Sequence, residues 1–179
     1  DLLKNIEKLK PLALILSGGP ETTTSDYSPT IPRKIFDLKI PILGICYGHQ
    51  LLCKLMGGKV QKKSKREFGR TLITLTNKRE TALLNGLFER GVEQVWMSHG
   101  DAVSHLPKKF VSLAKSDSSD FAIIGDFENN FYGVQFHPEV FHTKNGSQFF
   151  KNFLKIANIK PNWTSSKITE EIIFKLKKR

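Results

Sequence analysis

With 179 residues, 39% of them hydrophobic and 13 of them phenylalanine, the chain is long enough for one domain with a sizeable core. No apolar run approaches the roughly 20 residues of a membrane span, so no membrane partner is expected. The net charge of +11 sits in two stretches, residues 59–70 with six Lys/Arg against one Glu and residues 151–179 with eight against two. Neither has the interleaved aromatics of a nucleic-acid module, so both read as solvated faces or docking surfaces.

In chain order, residues 1–9 read as the end of a helix and 12–17 as a strand, followed by a Thr/Ser/Pro-rich loop over 20–29. A short helix is expected over 31–37, with Pro32 in its first turn. Residues 41–45 read as a buried strand and 47–56 as a helix ended by Gly57-Gly58. Residues 59–76 are expected to carry two strands around Gly69, and 93–98 another. Three late strands follow over 109–115, 121–127 and 131–136, with a turn at Asn129-Asn130. Helices close the chain over 146–157 and 166–178, the latter with Ile168, Ile172, Ile173 and Leu176 in line. Pro161 and the Thr-Ser-Ser run make 158–166 the best linker. Early strand–helix alternation and late antiparallel strands predict an α/β fold with a mixed, mostly parallel central sheet flanked by helices.

Three segments carry chemistry. Gly44-Ile45-Cys46-Tyr47-Gly48 joins the 41–45 strand to the 47–56 helix. This is the thiol counterpart of a nucleophile elbow, whose glycines relieve crowding around a strained nucleophile. The helix N-terminus is expected to favour the Cys46 thiolate. His137-Pro138-Glu139 follows the 131–136 strand. Pro138 keeps His137 extended, so Glu139 shares its side and can orient the ring. Ser17-Gly18-Gly19 ends the 12–17 strand, where backbone N–H groups can serve an oxyanion. Together these read as nucleophile, base with orienter, and oxyanion donors. Cys53, seven residues from Cys46, lies too far along a helix for a disulfide and reads as core. Reduced thiols fit a cytoplasmic setting. Asp26, His49, His99 and His105 are too dispersed for a metal set, and no metal is expected. Ser98 and His99 point to opposite faces of an extended segment, which argues against a serine hydrolase.

The chain resembles the class I (triad) glutamine amidotransferases, and within them the GMP synthase branch. The matching segments are Leu16 to Glu21 (Leu-Ser-Gly-Gly-Pro-Glu), Gly44 to Gln50 (Gly-Ile-Cys-Tyr-Gly-His-Gln), Arg66 to Gly69 (Arg-Glu-Phe-Gly), Trp96 to Asp101 (Trp-Met-Ser-His-Gly-Asp) and Tyr132 to Val140 (Tyr-Gly-Val-Gln-Phe-His-Pro-Glu-Val). Trp163-Thr164 with the helix after it resembles that branch's connector. The resemblance implies glutamine hydrolysis to glutamate and ammonia, with Cys46, His137 and Glu139 catalytic and the N–H groups of Gly19 and Tyr47 as oxyanion hole. It also implies that Gln50 and the Ser98-His99-Gly100-Asp101 loop bind substrate. Asp101 suits the α-ammonium, and the N–H groups around His99 and Gly100 suit the α-carboxylate.

By the same resemblance, residues 1–157 form a glutamine amidotransferase domain that lacks its N-terminal strand. Residues 158–179 lead toward an ATP pyrophosphatase (synthetase) domain. That domain would use ATP and Mg to aminate XMP to GMP in purine biosynthesis, making the full-length enzyme a ligase. The glutaminase step itself needs no cofactor. A homodimer would form through the C-terminal part. The alternatives are the glutaminase of another synthase, such as anthranilate synthase, and a truncated inactive docking domain. Val140, where the anthranilate branch usually carries Ser, argues against the first. The intact triad argues against the second.

Overall fold

The computed structural model describes residues 2–76, 81–161 and 165–177. One seven-stranded sheet runs in the order β1-β2-β7-β6-β5-β3-β4. Its strands are β1 (Leu14–Leu16), β2 (Ile42–Ile45), β3 (Lys59–Leu75), β4 (Val92–His105), β5 (Val111–Lys115), β6 (Ile123–Asp126) and β7 (Phe131–Val134). The helices are α1 (Leu2–Leu9), α2 (Tyr47–Leu55), α3 (Gly146–Ile156) and α4 (Ser165–Lys177). No helix among the described residues is long and apolar enough to cross a membrane.

The α/β class and the mixed sheet match the expectation, but the sheet is not mostly parallel. Only β1–β2 and β2–β7 pair in parallel; the other pairings, β7–β6, β6–β5, β5–β3 and β3–β4, are antiparallel. β1 and β2 are joined by the crossover over residues 17–41, and β2 returns to β7 only after α2 and the four strands β3 to β6. The short connections 116–122 and 127–130 make β5, β6 and β7 antiparallel neighbours.

Three other expectations change. Residues 59–75 form one long strand rather than two, with Gly69 at φ 102° inside it and register shifts at Lys59/Val60 and Lys62/Glu67. Such irregularities bend a strand without ending it. β4 runs on through Ser98–Asp101, so Ser98, His99 and Asp101 are paired strand rather than loop, with Gly100 opposite the Lys62/Glu67 irregularity. The 31–37 helix is a short 3-10 turn, Arg33–Leu38. Residues 162–164, including the Trp163-Thr164 connector, lie outside the described residues. α4 leaves Ile172, Ile173 and Leu176 about half exposed.

Alternation of side chains builds a core on each face. Ile42 of β2, Phe131 of β7 and Ile124 of β6 meet Ile6 of α1 and Leu52 and Cys53 of α2. Leu43, Ile45, Tyr132, Val134 and Ile123 point the other way, toward Phe149 and Phe153 of α3. α2 lies close against its face because glycines line the contact. Gly44 and Gly133 are register partners. A Cβ on Gly44 would stand 2.5 Å from Gly48 O, and one on Gly133 would stand 2.3 Å from His49 Nδ1. Gly48 is tighter still: its Cβ would lie 1.9 Å from Leu16 O, a backbone atom of β1 that cannot swing aside. Gly48→Ala is therefore expected to destabilise the protein by about 3 kcal/mol, read by chemical denaturation. A loss under about 0.5 kcal/mol, the usual size for a surface change, would contradict this packing.

Candidate active site

The three adjacent parallel strands deliver the chemistry-bearing segments to one edge. β1 ends into Ser17-Gly18-Gly19, β2 into Cys46, and β7 into Gln135-Phe136-His137. Sites in α/β sheets lie beyond such carboxyl ends. Cys46 takes φ 50° and ψ −103°, outside the regions open to ordinary residues. Its N–H donates to Val134 O at 2.8 Å, and its carbonyl accepts from Gln50 N at 3.1 Å. The elbow is thus tied to β7 on one side and to the first turn of α2 on the other.

Gly18 lies close to both Cys46 and His137. A Cβ there would lie 3.0 Å from His137 Cε1 and 3.6 Å from Cys46 Cβ. Gly19 faces Tyr47, 3.8 Å from a Cβ position to Tyr47 Cγ. His137 Nδ1 donates to Glu139 Oε1 at 2.6 Å, which leaves Nε2 for the cleft. The His137 backbone is fixed as well: its N–H donates to Trp96 O at 3.0 Å, and its carbonyl accepts from Thr143 Oγ1 at 2.6 Å.

The thiolate expectation does not hold for the free protein. Burial pushes the Cys46 thiol up to about 11 and the Glu139 charge raises it further, outweighing the hydrogen bonds from Tyr47 N–H and Gln135 that favour the thiolate. The thiol lies 3.6 Å from Ser98 O, an acceptor for its proton. The helix N-terminus alone does not offset desolvation of a buried sulfur. Cys53, also buried, is pushed up to about 12 by desolvation and lies 3.5 Å from His105 O.

Cys46 and His137 open onto a cleft of about 690 Å³ whose walls include Gly19, Tyr47, Gln50 and the Ser98–Asp101 segment. Every residue assigned by sequence to catalysis or substrate binding lines it except Glu139, which touches it through His137. Their environments differ from the sequence picture. Gln50 Nε2 donates to Asp101 O at 2.7 Å and to Gln135 Oε1 at 3.2 Å, so only its oxygen is free for a ligand. The His99 ring is engaged internally: Nε2 lies 3.0 Å from Glu67 Oε2 and Nδ1 2.9 Å from Asp101 O. Burial raises the Glu67 carboxyl, but hydrogen bonds from His99 and Ser116 and the His99 charge outweigh it and hold the group below its usual range. The Asp101 carboxylate accepts from Thr22 Oγ1.

Sequence reasoning missed four participants. Lys62 and Arg66, read as docking charges, line the cleft, as does Thr22. Gln135 is fully buried, with Nε2 3.8 Å from Cys46 Sγ. Its signal was present: a glutamine in an apolar strand, two residues before His137 and so on the same side. No cluster of metal-ligating side chains occurs among the described residues.

A family model described as glutamine amidotransferase class-I matches residues 1–157. The chain is 44% identical over 179 residues to a protein of Bartonella bacilliformis named GMP synthase [glutamine-hydrolyzing], covering 99% of this chain and 34% of that protein. It is 46% identical over 174 residues to a Phenylobacterium zucineum protein of the same name, covering 96% and 33%. The chain therefore spans about a third of the length of the curated relatives it matches. Among solved structures, a Thermoplasma acidophilum protein described as a GMP synthase component superposes with TM-score 0.64 at 24% identity, covering 82% of this chain and 93% of that one. That likeness concerns the fold.

Proposed function

The chain belongs to the class I glutamine amidotransferase family, and from that premise we propose that it hydrolyses the side-chain amide of glutamine through a Cys46 thioester. The observation that carries this reading is the approach of Cys46 and the His137 ring to one point beside Gly18, where a Cβ would lie 3.6 Å from Cys46 Cβ and 3.0 Å from His137 Cε1, with Glu139 on His137 Nδ1.

Glutamine enters the cleft with its amide toward Cys46. Asp101, held by Thr22, takes the α-ammonium. Lys62 and Arg66 supply positive charge for the α-carboxylate beside the backbone of His99 and Gly100. His137 Nε2 accepts the Cys46 proton, and the sulfur attacks the amide carbon. The oxyanion accepts hydrogen bonds from the N–H groups of Gly19 and Tyr47; one such donor is worth about 10²–10³ in rate. His137 then protonates the departing ammonia and activates water against the thioester. Glu139 fixes the ring and stabilises its charge. Burial pushes the free thiol up to about 11, so the Cys46 proton leaves by transfer to His137 rather than to bulk water. The pH–rate profile then belongs to the Cys46–His137 pair, not to either group.

The ammonia serves an ATP-dependent amination of XMP by a synthetase domain, with ATP and Mg bound there. The names of relatives three times as long support this reading. The exposed apolar residues of α4 and the basic β3 segment supply docking surfaces for that domain. Mixing the chain with a relative's separately expressed synthetase domain, ATP and XMP should raise glutamate release at least several-fold over the chain alone. Charge reversal at Lys59 and Lys63 should lower that stimulation. Full activity of the chain alone, indifferent to partner and nucleotides, would overturn the coupling.

A further inference from the structure

The buried surroundings of the Cys46 sulfur are polarised by one side chain. Ser98 O, at 3.6 Å, is an acceptor and serves only the protonated thiol. Gln135 Nε2, at 3.8 Å, is a donor, and Gln135 has no solvent exposure. Amide nitrogen and oxygen are told apart only by their neighbours, and here the neighbours decide. Gln50 Nε2 donates to the fixed backbone carbonyl of Asp101 at 2.7 Å, so its other hydrogen reaches Gln135 Oε1 at 3.2 Å. That bond turns the Gln135 nitrogen toward sulfur. The Asp101 carbonyl is pinned from its other side by His99 Nδ1, whose ring is backed by Glu67. The orientation of Gln135 is thus set by a relay reaching into β3 and β4.

We propose that Gln135 is the side-chain donor that stabilises the Cys46 thiolate, and that Gln50 is the positioning residue that keeps its amide facing sulfur. This rests on the glutaminase reading only in taking Cys46 as the nucleophile. When the sulfur gives its proton to His137 Nε2 and keeps the electron pair, the Ser98 carbonyl loses its partner. The new charge is then met by Gln135 Nε2–H and the Tyr47 N–H, against the opposing charge of Glu139. A buried thiolate without a side-chain donor carries a desolvation cost that lowers its population. Gln50 therefore contributes to the nucleophile's state whether or not its free oxygen touches substrate.

Alkylation tests this without glutamine. Well below a thiol's pKa, its rate of reaction with iodoacetamide follows the thiolate fraction, so a pKa shift reads as a fold-change at fixed pH. At pH 8.5, peptide mapping should show Cys46 reacting about 10-fold slower in Gln135→Met, which keeps volume and removes the donor. The fall should be larger in Gln135→Glu, which presents an acceptor, and about 3-fold in Gln50→Met. Rates within twofold of wild type in the folded Gln135 variants would overturn the assignment. If those variants do not fold, the wild-type protein decides. The Gln135 side-chain amide resonances should move on alkylation of Cys46, and unchanged resonances would overturn the proposal. A normal alkylation pattern with no glutamine turnover would count against the glutaminase reading alone. Turnover with an unchanged pattern would count against Gln135 alone.

Discussion

Cys46→Ala should abolish glutamine hydrolysis, by about 10⁴-fold or more on the scale seen when a covalent nucleophile is removed, with the fold intact. The residue is buried at a strained elbow, and alanine keeps the Cβ while removing only the sulfur. Cys53→Ala should retain activity, because Cys53, on α2, is packed in the core with Ile42, Ile124 and Phe131 and its thiol lies against His105 O, away from His137. It should cost stability only, about 1 kcal/mol for a small buried side chain. Glutamate release by the two variants, with matched circular dichroism, measures the contrast. Equal inactivation would mean that the wrong cysteine has been taken as nucleophile.

His137→Asn should lower kcat by about 10³-fold, within the range for a positioned general acid–base, with KM little changed because the ring does not hold the α-groups. Glu139→Gln should cost about 10-fold. Glutamine can still accept from His137 Nδ1 at the 2.6 Å site, and the Glu139 side chain is 47% exposed, so water screens its charge. Steady-state kinetics separate the two. A Glu139 variant slower than the His137 variant would reverse their roles.

Much of this site was legible in the sequence because its chemistry is punctuated by residues with narrow backbone meaning. Gly44 and Gly48 flank Cys46 because α2 touches the sheet there. Pro138 holds His137 and Glu139 in line, and Gly18 leaves room for the ring between two strand ends. Local rules cover such contacts. The balance of the sheet was not legible, since parallel or antiparallel pairing depends on where β7 inserts, beside β2, after a long excursion through β3 and β4. β3 also misled: Gly69 reads as a turn, yet the partner strand β4 carries the ladder across it from Trp96 to Ser98. The thiolate expectation failed for a related reason. A helix N-terminus can be inferred from local sequence, whereas the desolvation of Cys46 comes from packing by distant segments. Gln135, Lys62 and Arg66 reach the cleft only through tertiary placement.

The most direct measurement of the central claim is covalent trapping with a diazoketone analogue of glutamine, followed by intact mass and peptide mapping. The account predicts one adduct per chain, on Cys46, blocked by excess glutamine and absent in Cys46→Ala. In His137→Asn the adduct should form far more slowly. Labelling of Cys53, or no glutamine-protected adduct on a folded chain, would contradict it.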